Sequence, residues 1–169
     1  DLKDMGSIIW SETVKAVRRL NPNTTLETLI PDFQGNENII DRIINVSPEV
    51  VSHNLETVRR LTRKVRIQAK YERSLSVLSY LKEKGVNRTK SGIMLGLGEK
   101  EDELFETLDD LINVNVDIVT LGQYLQPSKK HLHVSSFITP ETFKKYEDYA
   151  IKLGFKHVES GPLVRSSYK

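Results

Sequence analysis

Along this chain, stretches with an apolar residue every third or fourth position alternate with short runs that are apolar throughout, and that alternation predicts its elements. Trp10, Val14, Val17 and Leu20 keep helical spacing behind Ser7, a candidate N-cap, and Pro22 ends the segment. Thr24 to Ile30 reads as a strand. Asn36 can cap a second helix with Ile39, Ile40, Ile43 and Ile44 on one face, and Glu49 to Ser52, after Pro48, is β-rich. Glu56 to Val65 reads as a short helix burying Val58, Leu61 and Val65, Arg66 to Ala69 as a short strand, and Glu72 to Lys84 as a helix aligned on Leu75, Leu78 and Leu81. Gly85 stops that helix, as glycines after helix ends do. Ser91 to Leu97 is an apolar strand. Glu101 to Asn113 is a helix carrying Leu104, Leu108, Leu111 and Ile112, and Asp117 to Leu121 is a strand. Thr139 and Pro140 open a last helix with Phe143, Tyr146, Ala150 and Leu153 inward, and His157 to Glu159 forms a final strand.

Strands that alternate with helices call for a parallel sheet with crossover helices, arranged as an open doubly wound sheet or as a partial or complete barrel. No linker, repeat or low-complexity run interrupts the alternation. It predicts one α/β unit over 1–160 and a polar tail over 161–169 that ends in Arg165-Ser166-Ser167-Tyr168-Lys169.

Composition narrows the chemistry. Lysine and arginine number 25 against 23 acidic residues, interspersed along the 169 positions, so no electrostatic footprint for nucleic acid is present. No run approaches the roughly eighteen apolar residues of a membrane span. A cytoplasmic setting is expected, or a mitochondrial matrix if a targeting segment precedes the chain. There is no cysteine, which excludes disulfides, thiolate nucleophiles and any iron–sulfur site that depends on this chain for sulfur.

Sites in parallel α/β folds gather at the carboxyl ends of strands. The segments there are Pro31-Asp32-Phe33, His53-Asn54-Leu55-Glu56, Lys70-Tyr71, Gly96-Leu97-Gly98-Glu99 and Gly122-Gln123-Tyr124-Leu125-Gln126-Pro127, all rich in hydrogen-bonding groups. Each has a structural reading beside the functional one. Asp32 suits a turn, Asn54 suits a helix cap, and His53 suits a packed, hydrogen-bonded histidine. The Gly96–Glu99 segment lacks both the third glycine of a dinucleotide fingerprint and the Lys-Ser/Thr ending of a P-loop. Its glycines could serve close approach or a tight turn. Gln123, Tyr124 and Gln126 could hydrogen-bond a zwitterionic or adenosyl ligand without adding charge. Lys129, Lys130, His131 and His133 form a basic cluster that could attract an acidic protein or simply face solvent. The residues alone thus give a ligand-binding α/β protein.

Taken together, Leu29-Ile30-Pro31-Asp32-Phe33, His53-Asn54-Leu55-Glu56-Thr57, Lys90-Ser91-Gly92-Ile93-Met94, Gly96-Leu97-Gly98-Glu99, Gly122-Gln123-Tyr124-Leu125-Gln126-Pro127 and Gly161-Pro162-Leu163-Val164-Arg165-Ser166-Ser167-Tyr168 resemble the lipoyl synthase family, in its order and spacing over essentially the whole chain. The resemblance implies a radical S-adenosylmethionine barrel, parallel and partial. In that family one four-iron cluster cleaves S-adenosylmethionine to a 5′-deoxyadenosyl radical, which abstracts hydrogen from C6 and C8 of an octanoyl group on a lipoyl carrier domain. A second four-iron cluster is the sulfur source, and an electron donor such as ferredoxin or flavodoxin is required.

Carried over by residue, the resemblance implies that Asp4 to Ser7, Gly6 included, serve the methionyl amine, and that Asn54, Glu27 and Arg73 make polar contacts to S-adenosylmethionine. Gly96, Gly98, Gln123 and Gln126 would lie near the adenosyl group or the reacting chain. Ser167, ahead of Ser166, looks like an oxygen ligand of the auxiliary cluster, with Arg165 and Tyr168 positioning the tail. Met5 stands where the family has a glycine. The family's CxxxCxxC motif and its second cysteine triad are absent. The resemblance puts both before Asp1, so the chain is expected to be truncated at its N-terminus, inactive alone, and aggregation-prone through an unpaired sheet edge. Two alternatives are a clusterless protein that binds S-adenosylmethionine or a lipoyl domain without catalysis, and a different radical S-adenosylmethionine sulfur transferase, of the biotin synthase type.

Overall fold

The computed structural model describes residues 2–167. Five strands, β1 (Glu27–Leu29), β2 (Val50–Ser52), β3 (Arg88–Leu95), β4 (Ile118–Gln123) and β5 (His157–Gly161), form one sheet in the order β1-β2-β3-β4-β5. Every pairing is parallel. The helices are α1 (Ser7–Leu20), α2 (Glu37–Ile44), α3 (Arg59–Val65), α4 (Tyr71–Glu83), α5 (Glu101–Asn113) and α6 (Pro140–Leu153), with a 3-10 turn at Phe33–Gly35. A doubly wound sheet reverses its strand order at a switch point. Here spatial order follows chain order from first strand to last, which is the winding of a barrel segment and decides between the two architectures open to the sequence.

Strand alternation sorts the side chains into two faces. Val51, Ile93, Leu95, Val119, Leu121 and Val158 point toward the helices, where they join Leu78, Leu104, Leu108, Leu111, Phe143 and Ala150 in the core. The opposite face carries Glu27, Ser52, Lys90, Gly92, Thr120 and Gly122. On it, Glu27 accepts from Ser52 Oγ at 2.5 Å and pairs with Lys90 Nζ at 3.0 Å, a polar bridge across three strands. That face is the inner surface of the partial barrel.

Local chemistry moved several boundaries. Thr139 caps α6 as expected, accepting from Thr142 N at 3.2 Å. Ser7 does not cap α1. The N-cap is Gly6, in the left-handed region at φ +81°, and the Asp4 carboxylate accepts from Ile8 N at 2.9 Å. Asn36 holds the N-cap position of α2 without a side-chain capping bond. The strand expected over Thr24–Ile30 is confined to Glu27–Leu29, the residues in register with Val50–Ser52, with Leu26 O and Ile30 N making the last bonds to β2 at either end. The helix expected from Glu56 starts at Arg59. Glu56 instead bridges β3, its N–H donating to Gly92 O at 2.9 Å and its carbonyl accepting from Met94 N at 2.8 Å. The short strand expected at Arg66–Ala69 is a turn closed by Ala69 N to Arg66 O at 3.1 Å; no sheet edge lies beside it. β3 runs Arg88–Leu95 rather than Ser91–Leu97, since Gly96 turns at φ +96°.

Candidate active site

The helix-free face opens at the carboxyl ends of β2, β3 and β4 into a cavity of about 190 Å³, lined by Asn54, Glu56, Gly92, Thr120, Gly122 and Gln123 among others. Asn54 is not a helix cap. Its Oδ1 accepts from Gly92 N at 3.0 Å and its Nδ2 donates to Glu56 Oε1 at 3.2 Å. A side chain at Gly92 would crowd this arrangement, because an added Cβ would stand 3.0 Å from both Asn54 Oδ1 and Thr120 Oγ1.

Glu56 belongs to a strand-end segment that the sequence singles out, yet the helical spacing from Glu56 to Val65 leaves it without an assigned role. It sits at φ +69°, a conformation uncommon for a side chain other than Gly, Asn or Asp. Burial pushes its carboxyl above the ordinary value, against the opposing effects of the Asn54 amide and the Arg66 charge. A half-buried acid in strained backbone at a strand end is a functional signature. In the sequence its sole signal was a charge set among apolar residues just after a strand.

The neighbouring loops are closed by their own side chains. Glu99 accepts from Gly96 N at 2.6 Å and from Leu97 N at 2.9 Å, so the amides that a phosphate would need are already taken. Gln123 lines the cavity with its amide engaged: Nε2 donates to Leu95 O, Tyr124 O and Ser136 O at 3.0–3.1 Å, and Oε1 accepts from Ile138 N at 2.9 Å. Gly96 packs under this amide and Gly98 packs near Ser135. Gln126 donates to His131 O at 3.0 Å, within its own loop. The two glutamines therefore strap the β4–α6 loop.

The other predicted residues fall into two further places. Arg73 pairs with Asp32 at 2.6 Å and lines a second cavity with Met5, Asp32, Phe33 and Arg66, beside the turn of Asp4 and Gly6 that opens α1. Burial disfavours the charge on Asp32, yet the Gln34 amide and the Arg73 guanidinium hold its carboxyl below the usual range. Met5 lies at φ +51°, which gives a physical reason for a glycine at this point. Glu27 and Ser167 line a third cavity, at the amino-terminal end of the sheet, with Arg88, Lys90 and Asp117. The tail reaches it along the inner face, since Val164 O stands 2.2 Å from where a Gly122 Cβ would lie. Tyr168 lies outside the described residues.

His53 answers its structural reading. It is 1% exposed, with Nδ1 3.0 Å from Ile30 O and Nε2 2.9 Å from Ser74 Oγ. Burial, foremost, holds its pKa below the ordinary value.

A singly wound parallel sheet with polar groups gathered at its carboxyl edge defines a class of α/β barrel enzymes. The chain belongs to the radical SAM superfamily, whose family profile matches residues 2–111. Within that class its similarity is specific: it is 76% identical over all 169 residues to a lipoyl synthase of Flavobacterium johnsoniae and 74% identical over 168 residues to the mitochondrial lipoyl synthase of Nematostella vectensis. The chain spans 59% and 58% of the length of these relatives. Among solved structures, methylornithine synthase superposes with a TM-score of 0.67 at 15% identity, covering 96% of this chain and 54% of that one, which bears on the fold alone.

Membership of the superfamily implies S-adenosylmethionine and an iron–sulfur cluster. This chain has no cysteine, and among the described residues no group of three or more His, Asp or Glu could hold a metal ion. The residues present do not fit a cluster. They do fit a polar ligand at the mouth, where Asn54 and Glu56 present an amide and a carboxyl. Among the described residues no helix is long and apolar enough to cross a membrane.

Proposed function

We propose that this chain forms the five-stranded part of a lipoyl synthase, an enzyme that inserts sulfur at C6 and C8 of an octanoyl group carried on a lipoyl domain. The observation that carries the reading is the polar cavity at the carboxyl ends of β2–β4 in a chain 76% identical to a lipoyl synthase. S-adenosylmethionine, when bound, supplies the hydrogen-abstracting chemistry.

The chain's own residues bind and orient. Asn54, fixed by Gly92 N, and Glu56, held by Asn54, offer hydrogen bonds to hydroxyl or amine groups of the ligand. Burial raises the pKa of the Glu56 carboxyl, which disfavours its charged form. Arg73, aimed by Asp32, and the turn of Asp4 and Gly6 are assigned to the charged end of S-adenosylmethionine, although they border a separate cavity. Glu27, tied to Lys90 and Ser52 at the far end of the sheet, is more distant from the mouth than the resemblance implies. Ser167 is a single oxygen donor, so as a ligand of an auxiliary cluster it would complete a thiolate set from another part of the full-length protein. It would first have to leave the inner face of the sheet.

The test is anaerobic incubation of the full-length protein with octanoylated carrier domain, S-adenosylmethionine and a reductant such as reduced flavodoxin, followed by mass spectrometry. Two sulfur atoms gained by the carrier domain are expected. A carrier left at its octanoyl mass while S-adenosylmethionine is consumed overturns the reading.

A further inference from the structure

We infer that the rim formed by α3 and the β4–α6 loop is a docking face for an acidic protein surface. The inference rests on the proposed function, because it concerns what must lie against the mouth when a carrier delivers its acyl group there. The β4–α6 loop has little regular structure, yet it is built as a platform. Gln123 and Gln126 strap it, Tyr124 Oη donates to Leu132 O at 2.8 Å, and Ser135 N donates to Gly96 O at 2.7 Å. Val58, at the N-cap of α3, and Leu61 within it pack with Leu97, Tyr124, Leu132 and Val134 beneath it.

The groove between them is about 420 Å³, with Leu97, Leu132 and Val134 as its apolar lining and Lys64, Lys130, His131 and His133 beside them; no acidic residue lines it. Charge on the two sides of α3 differs. Arg59 is satisfied by Glu72, Glu106 and Asp110, and Arg60 by Glu103 and Gly98 O. Among the described residues, exposed Arg63, Lys64, Lys129 and Lys130 have no ion-pair partner. The result is unbalanced positive charge around an apolar floor, adjoining the Gly96–Glu99 loop at the mouth. Apolar contact inside a charged rim is the make-up of a protein interface. A nucleic-acid surface would extend its cations along a backbone instead, and this chain carries a net charge of only +2.

The experiment uses the full-length protein with Lys64→Glu and Lys130→Glu combined; both side chains are exposed and neither is assigned to the ligand cavity. Binding of octanoylated carrier domain is measured by calorimetry at low and physiological salt, with S-adenosylmethionine binding in parallel. Carrier affinity is expected to fall by on the order of tenfold, with a weaker salt dependence, while S-adenosylmethionine binding stays unchanged. Carrier affinity within about twofold of the unaltered protein overturns the inference, as does a loss confined to a DNA duplex used as control. Should the unaltered protein not engage the carrier at all, the functional reading falls. The rim is then judged with a polyglutamate peptide, whose binding must still depend on Lys64 and Lys130; absence of that dependence overturns the inference independently.

Discussion

Two single residues carry consequences that can be measured. Gly96 turns at φ +96°, and a Cβ there would stand 2.3 Å from Ser136 O and 2.4 Å from Gln123 Nε2. Gly96→Ala therefore combines backbone strain with loss of the strap, and about 1–3 kcal/mol of destabilisation is expected, read as a lowered melting temperature. His53 gives a pH dependence. Its pKa is lowered on folding, so the unfolded chain takes up a proton more readily, and stability that is full above the unfolded pKa near 6.5 is lost as pH falls toward the folded one. Glu56 runs the other way, because a raised carboxyl pKa makes stability fall as pH rises through the folded value. The measurement is thus a difference: urea unfolding between pH 7.5 and 5 should show a shallower decline on acidification for His53→Gln than for the unaltered chain. Equal slopes would remove His53 as the cause.

At the scale of elements, α6 and the tail invite separate tests. Thr139 is the one expected helix cap whose side chain closes on the backbone, and Thr139→Ala should cost about 1 kcal/mol, seen as a lower urea midpoint with an unchanged slope. The tail from Pro162 to Ser167 is seated by the absence of a side chain at Gly122. Gly122→Ala would drive a methyl group into Val164 O, so the tail should lift and trypsin should cut after Arg165 faster than in the unaltered chain. Cleavage at an unchanged rate would mean the tail is held by other contacts. Periodicity places the helices close to their observed boundaries, whereas the segment after β2 departs from its helical spacing. Glu56 was counted into a helix because nothing local reveals that the Gly92 carbonyl and Met94 amide claim its backbone.

For the molecule as a whole, the open edge at β1 and the exposed Leu2, Ile8, Ile9 and Leu29 leave apolar surface and unpaired strand groups together. The 169-residue chain by itself is expected to self-associate, and sedimentation that shows a stable monomer would count against this. Anaerobic reconstitution of the same chain should yield no stoichiometric iron or sulfide, since it has no thiolate to offer. What the sequence determined by itself was the α/β alternation, most helix faces, the absence of sulfur ligands and the family resemblance, because periodicity, composition and motif are written along the chain. Tertiary structure alone decided the singly wound order of the strands, the making of the mouth from Asn54, Glu56 and Gly92, the strapping role of Gln123 and Gln126, and the division of the predicted site residues among three cavities. Each of these depends on which backbone groups meet across strands distant in sequence, and a linear pattern holds no record of those meetings.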